Sequence, residues 1–149
     1  MHVSTKFTVA LHLLCATEYF NKTEKVTSAF LAGSIGTNAV TVRNIMLQLQ
    51  HAGIISVKRG SGGIALTRPL AQITFLDIYQ AVETGSEGTL FNFHENPNPQ
   101  CPVGRNIHRA LDSQLGEVQK DFERDLAGRT VASVYDKVVD AIKDQNPAA

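Results

Sequence analysis

Seven apolar residues in the C-terminal third recur every three or four positions along this 149-residue chain. They are Val103, Ile107, Leu111, Leu115, Val118, Phe122 and Leu126. This spacing places apolar side chains along one face of a helix of about 25 residues, roughly 38 Å long at 1.5 Å per residue. Because a domain of this size does not cover such a helix, we expect the middle of the stripe to pack against a second copy of the chain. The residues predicted at that homodimer interface are Leu111, Leu115, Val118 and Phe122.

The N-terminal half shows a short helix, a glycine-containing turn and a longer helix. Thr27 is suited to begin the short helix, and the loop 33–38 is predicted to end it. A longer helix is predicted over 39–52, and Gly53 stops it. Its apolar residues lie on one helical face: Val42, Ile45, Met46 and Leu49. This order of elements is typical of a helix-turn-helix, although many helical hairpins share it.

Two short β-branched segments follow, at 54–58 and 64–67, with the glycine-rich sequence 59–63 between them. This pattern predicts a β-hairpin with a flexible tip, and the basic residue Arg59 lies where the first strand meets that tip. A phosphate-binding loop of the P-loop type is not indicated, because no Lys-Ser/Thr pair follows the glycines and a strand comes next. Further helices are predicted after the N-cap candidates Ser4, Thr74 and Thr130.

Together these elements predict a mainly α fold with a small β wing. The chain divides into a winged helix-turn-helix DNA-binding domain at 1–85, a loop at 86–101, and a dimerisation helix with a C-terminal helix at 102–149.

The net charge is zero, but the charges are unevenly distributed. Residues 26–75 contain no Asp or Glu, and their four basic residues are Arg43, Lys58, Arg59 and Arg68. From Asp77 onward, 12 acidic residues outnumber 7 basic ones. A segment without carboxylates suits a surface that approaches phosphates, although a chance gap in a chain with 19% charged residues is the alternative.

The chain has no segment of about 20 apolar residues and no signal-peptide pattern at its start. Its two cysteines, Cys15 and Cys101, are too few for a disulfide framework. We therefore expect a cytoplasmic protein without a membrane partner.

Three segments carry a family resemblance: Val-Ser-Thr-Lys at 3–6, Val-Lys-Arg-Gly-Ser-Gly-Gly at 57–63, and Ile-Thr-Phe-Leu-Asp-Ile at 73–78. From residue 3 to about 140 the chain resembles the Rrf-two family of bacterial winged-helix transcriptional regulators, which includes regulators of iron–sulfur assembly, nitric oxide response and cysteine metabolism. The resemblance implies a homodimer whose long helices cross and whose two recognition helices enter successive major grooves of double-stranded DNA.

The resemblance also implies which residues contact DNA. On the third helix they are Asn38, Thr41 and Arg43, and on the wing they are Arg59, Gly60 and Ser61. The basic residue beside them, Lys58, is predicted to contact DNA as well. Thr and Asn reach base edges or phosphates, and arginine suits a guanine, a phosphate or the minor groove. The alternatives are helix capping for Asn38 and Thr41 and a solvated wing residue for Arg59.

The chain departs from the family in the loop before the long helix, where many members hold an iron–sulfur cluster with three cysteines. Only Cys101 matches a family cysteine, so we expect no cluster, no cofactor and no metal site. Zinc held by His94, Cys101 and His108, with Glu95 as a fourth ligand, is a weaker alternative because the spacing is unlike that of structural zinc sites.

Cys101 precedes Pro102, which favours the first position of a helix. A thiol at a helix N-terminus, with Arg105 one turn further on, is favoured as the thiolate, so we expect Cys101 and Arg105 to form an oxidant- or electrophile-sensing site. A passive helix cap is the alternative. Cys15, on an apolar helical face, is expected in the core.

The leading hypothesis is a DNA-binding regulator, acting as a repressor on a pseudo-palindromic operator, and not an enzyme. One alternative is an adaptor dimer that keeps the fold without binding DNA. Another is an enzyme with Cys101 as nucleophile and His94 or His108 as base, but no orienting third group is evident.

Overall fold

The computed structural model describes residues 4–60, 63–83 and 89–146. Over these ranges the chain forms α1 (Thr5–Phe20), α2 (Ser28–Ile35), α3 (Ala39–His51), β1 (Ile55–Val57), β2 (Ile64–Leu66), α4 (Phe75–Val82), α5 (Pro102–Ala127) and α6 (Val131–Gln145). The predicted mainly α fold with a small β wing is confirmed. No helix in these ranges is long and apolar enough to span a bilayer.

The predicted N-caps are confirmed. The side chains of Ser4, Thr27, Thr74 and Thr130 each accept a hydrogen bond from a backbone N–H in the first turn of the helix that follows. At α4 the carboxylate of Asp77 also accepts from the N–H of Thr74, which completes a capping box. These oxygens satisfy donors that the first turn of a helix leaves without an intrahelical partner.

Helix α2 is longer than predicted. It continues through Gly33, where the sequence indicated a loop, and ends at Ile35. Gly36 terminates it in the left-handed conformation, with φ 80°. A glycine inside a helix costs only about 1 kcal/mol, so Gly33 does not break it. The structure also contains a 3₁₀ turn at Leu70–Gln72 that the sequence did not predict.

The wing is an antiparallel pair in which Ile55 lies opposite Leu66 and Val57 opposite Ile64. Both strands are shorter than predicted. The segment before α2 contacts the wing, because the N–H of Ile64 donates to the carbonyl oxygen of Val26 at 3.0 Å. Gly63, with φ 74°, makes this approach possible: a Cβ there would lie 2.7 Å from that same oxygen.

A single apolar core lies beneath α1 to α4, the wing and the start of α6. Helix α1 crosses its centre, and its residues Leu13 and Leu14 have no exposed surface. The largest fully buried side chains from the other elements are Leu31, Val42, Ile45, Leu49, Ile54, Ile55, Ile73, Ile78, Val82 and Val131.

The chain returns to this core after α5. The N–H of Phe75 donates to the carbonyl of Arg129, and the N–H of Val131 donates to the carbonyl of Ile73, both at 2.9 Å. These bonds place the N-caps of α4 and α6, Thr74 and Thr130, opposite each other. The C-terminal end of α5 is therefore fixed to the winged domain by backbone hydrogen bonds.

The rest of α5 extends away from the core. Of its 26 residues only Leu126, near the anchored end, is buried. Its length, its Pro102 start and the position of Gly128 agree with the prediction.

Candidate nucleic-acid interface

Helix α3 has two faces with different roles. One is buried through Val42, Ile45, Met46 and Leu49. The opposite face is exposed along the whole helix, and its residues are Val40, Arg43, Asn44, Leu47 and His51. Two of these are large apolar side chains, with 58% of Val40 and 51% of Leu47 exposed. An apolar side chain on the exposed face of a helix-turn-helix is suited to contact thymine methyl groups in the major groove.

The oxygen of the Asn38 side chain is engaged by the helix. Its Oδ1 accepts from the N–H of Thr41 at 2.8 Å, so Asn38 is the N-cap of α3. The capping alternative raised by the sequence is therefore realised for Asn38. Thr41 is half-buried and supplies the capped N–H.

The wing carries its basic residues at the hairpin tip. Lys58 and Arg59 are exposed, as is Gly60, which adopts the left-handed conformation with φ 71°. The N–H of Lys58 donates to the carbonyl of Gly63 at 2.9 Å, which closes the tip. Ser61, also predicted to contact DNA, lies outside the described residues.

The four basic residues of the acid-free segment are not equivalent. Arg68 pairs with Asp77, with 3.2 Å between Nη2 and Oδ2, and also donates to the carbonyl of Gln72. In the described ranges, no carboxylate pairs with Arg43, Lys58 or Arg59. The cationic groups that remain for phosphates thus lie on α3 and the wing.

A concave surface of about 440 Å³ adjoins the exposed face of α3. It is lined by Lys6 of α1 together with Thr41, Asn44, Leu47 and His51 of α3. Lys6, Asn44, Leu47 and His51 were not among the residues predicted to contact DNA. The three α3 residues could have been found by continuing the helical period from Arg43 along the exposed face of the helix. The position of Lys6 beside them depends on how α1 packs against α3.

The helix-turn-helix with an adjacent basic wing defines a winged-helix DNA-binding protein. The family model of Rrf2, described as an iron-dependent transcriptional regulator, matches residues 3–137. The chain belongs to the Rrf2 family of transcriptional regulators.

Individual relatives agree with this assignment. YwnA of Bacillus subtilis (strain 168), named as an HTH-type transcriptional regulator, is 37% identical over 132 residues, covering 89% of this chain and 96% of YwnA. A crystal structure described as that of a DNA-binding protein is 32% identical, with a TM-score of 0.69 over 87% of this chain and 97% of the other. The structure of T. potens IscR is 21% identical, covers 95% of this chain and 90% of its own, and shares the fold with a TM-score of 0.67.

Cys101 is the N-cap residue of α5, as predicted, and Pro102 is the first residue of the helix. Cys101 is half-buried, and its side chain makes no capping hydrogen bond. The loop before it packs closely on the helix, since a Cβ on Gly104 would lie 2.6 Å from the carbonyl oxygen of Asn98. The N–H of Arg105 donates to the carbonyl of Cys101 at 2.9 Å, and the Arg105 side chain is exposed.

The two histidines of the zinc and enzyme alternatives, His94 and His108, contact each other and Phe93. The ring of His108 stacks on Phe93 with 5.1 Å between centroids and meets His94 edge-on at 5.0 Å. Nε2 of His108 lies 2.8 Å from the backbone carbonyl of His94, so this nitrogen is positioned to donate. A His108 ring that donates through Nε2 keeps its lone pair on Nδ1.

The family description implies iron, and the residues of this chain do not fit an iron–sulfur cluster. The sequence has two cysteines, of which Cys15 is buried in α1 and Cys101 begins α5. Across 4–60, 63–83 and 89–146, no three His, Cys, Asp or Glu side chains are grouped to hold a metal ion. The donor set for the usual three-cysteine ligation is missing.

The predicted dimer residues lie along α5 with unequal exposure. Val118 is 44% exposed, whereas Leu111, Leu115 and Phe122 are half-buried. Part of that burial comes from the chain itself, because Leu115 shares a small cavity with Phe91 and Phe93 of the preceding loop. No pattern in the sequence predicted that this loop covers part of the stripe.

Proposed function

We propose that this protein is a homodimeric repressor that binds a pseudo-palindromic operator through α3 and the wing. The observation that carries the proposal is the exposed face of α3 together with basic wing residues, in a fifty-residue segment without a carboxylate. Unpaired cations provide affinity for the DNA backbone, and the helix face provides contacts with base edges.

The side chains of α3 suggest a division of roles. Arg43 is suited to donate to guanine or a phosphate, and Asn44 to pair with the edge of adenine. Val40 and Leu47 are suited to contact thymine methyl groups, which favours A·T pairs at the centre of each half-site. Arg59 of the wing is suited to a narrow minor groove, where the negative potential is strongest.

The long helix supports the dimer. Val118 and its neighbours present apolar surface that the monomer leaves partly exposed, and the pairing of two such stripes would bury it. Two recognition helices then bind half-sites about one helical turn apart. A dimer that covers two successive major grooves obstructs other proteins at the same site, which is the basis for proposing repression.

The proposal is tested by isolating genomic fragments that co-purify with the protein and measuring their affinity by fluorescence anisotropy. Arg43→Ala and Arg59→Ala should each weaken binding by about 1–3 kcal/mol if the arginine contacts a base edge. Arg124→Ala, which removes an exposed arginine of α5, is the matched control and should leave affinity unchanged. Equal affinities for all three variants would place Arg43 and Arg59 outside the interface, whereas no bound fragment would favour the adaptor dimer that keeps the fold without binding DNA.

Oxidation of Cys101 is proposed as a signal that changes operator affinity. Its side chain caps no N–H, it is partly accessible, and it lies at the end of α5 remote from the winged domain. A bulky or charged oxidation product there would alter the dimer helices and hence the positions of both recognition helices.

Operator affinity should fall after mild hypochlorite treatment of the wild type and stay constant for Cys101→Ser. Cys15→Ala serves as the control that retains Cys101 and should respond like the wild type. Equal responses in the wild type and Cys101→Ser would leave Cys101 as a passive residue at the helix start.

A further inference from the structure

A cavity of about 530 Å³ lies between α1, α2 and α6, away from α3 and the wing. It opens to the surface beside Tyr19 and Val138, which are 42% and 40% exposed, and its volume is within the roughly 300–1,000 Å³ that is typical of small-molecule clefts. Its walls come from Leu11 and Ala16 of α1 and from Val134 and Ile142 of α6, and Cys15 lies at its inner wall. The cavity reaches the core, because Cys15 and Ala16 each have only 7% of their surface exposed.

The lining is neutral, unlike that of the concave surfaces beside α3 and α5. It contains no Asp, Glu, Lys or Arg, whereas the concave surface beside α3 includes Lys6 and the one beside α5 includes Asp112. Its polar groups are few, and two of them are paired: Nε2 of His12 lies 3.0 Å from Oγ of Ser34. A charged ligand would lose its hydration there without gaining an opposite charge.

The geometry points to a binding site for a neutral, largely apolar small molecule, with one polar group directed at His12 and Ser34. The size of the cavity accommodates a molecule with one or two fused rings. Burial raises the pKa of Cys15 to about 11, so this thiol contributes as a neutral, polarisable wall and not as a nucleophile.

The location of the site suggests a consequence for DNA binding, which rests on the function proposed above. Ser34 belongs to α2, the helix that precedes the recognition helix. Phe20, another wall residue, contacts Phe30 of α2 with 5.1 Å between ring centroids. A ligand in this cavity therefore contacts α2 directly at Ser34 and indirectly through Phe20. If the ligand binds more tightly to one position of α2 than to another, it shifts the protein toward that position and so changes the affinity for DNA.

The test uses N-phenyl-1-naphthylamine, a neutral fluorescent probe, titrated into the full-length protein without DNA. We expect saturable binding with one probe per chain. Val138→Trp, at the exposed rim, should fill the mouth of the cavity and weaken binding by about tenfold or more. Asp140→Trp, an exposed α6 residue outside the lining, is the matched control and should bind the probe as the wild type does.

A thermal unfolding curve for each variant verifies that it is folded, and Val134→Phe provides a second cavity-filling change if Val138→Trp is not. Absence of saturable binding to the wild type, or equal binding by filled and control variants, would overturn the site. Dissociation of the dimer by Val138→Trp in sedimentation would also overturn it, because the occupant would then be a second copy of the chain. Since no DNA is present, these results are independent of whether the protein binds an operator.

Discussion

The ring of Tyr79 meets the ring of Phe122 edge-on, with 5.3 Å between their centroids. Tyr79 is buried in α4, so this contact joins the winged domain to α5 one turn before the buried residue Leu126. Phe122 therefore has a partner within its own chain. Val118, the next residue of the stripe, is more exposed and offers a cleaner test of the dimer.

Val118→Asp should dissociate the dimer and weaken operator binding while leaving the monomer folded, because the substitution places a charge in the proposed interface and not in the core. The measurements are sedimentation at micromolar concentration and DNA affinity. Lys120→Asp, an exposed residue on the opposite side of α5, is the control and should remain dimeric. A wild type that sediments as a monomer would contradict the dimer.

Asn38→Ala should reduce the free energy of unfolding by about 0.5–2 kcal/mol, because it removes the cap of α3. Asn38→Asp keeps an acceptor for the N–H of Thr41 and should retain that stability, but its charge should repel DNA and weaken operator binding more than alanine does. Thr130→Ala removes a cap from α6 and should lower stability as well. Equal DNA affinities for Asn38→Asp and wild type would place Asn38 outside the interface.

Gly63→Ala should destabilise the protein more than Gly60→Ala. Both glycines have positive φ, so both substitutions incur a backbone cost of about 1–2 kcal/mol. Only at Gly63 does the new Cβ meet the Val26 carbonyl, which adds about 1–3 kcal/mol of overpacking, whereas nothing lies within 4 Å of a Cβ on Gly60. Urea unfolding measures the difference, and identical midpoints would show that the wing moves freely away from Val26.

Cys15 should be alkylated by iodoacetamide at pH 8 far more slowly than an exposed thiol, measured in a Cys101→Ser background. Burial raises the pKa of Cys15 from 9.0 to about 11, so the thiolate is scarce at that pH. Because this pKa is higher in the folded state than in the unfolded state, the free energy of unfolding is not reduced by Cys15 ionisation below pH 9, and it falls as the pH rises toward 11. Cys15→Ala should reduce this decline, and alkylation at the rate of an unfolded control would show that the site is open.

Local sequence signals predicted most of the fold. Hydroxyl residues at Thr27, Thr74 and Thr130 marked helix starts correctly, because N-capping depends on a side chain and a backbone N–H only a few residues apart. Contacts between residues distant in sequence were not predictable in this way. The pairing of Arg68 with Asp77, the approach of Val26 to Gly63 and the packing of Phe91 beside Leu115 all depend on how elements assemble.

The candidate site was predicted in part for the same reason. Arg43 and Arg59 were identifiable from charge distribution and family resemblance, and the structure leaves both exposed. The exposure of Val40 and Leu47 was not singled out, although the period of the buried residues determines the opposite face of α3. The position of Lys6 beside α3 depends on how α1 packs against α3, and no pattern within one helix predicts that packing.

The backbone hydrogen bonds around Thr74 and Thr130 fix the C-terminal end of α5 to the winged domain, so the helix can rotate as a rigid rod about this pivot. Its 26 residues extend about 39 Å from that pivot, so a rotation of about 5° at Thr130 displaces the Cys101 end by about 3 Å. In a dimer joined along α5, the same geometry works in reverse, and a small displacement far from the pivot becomes a turn of the whole winged domain. Residues around the pivot that touch neither DNA nor the partner can thus set the separation of the two recognition helices.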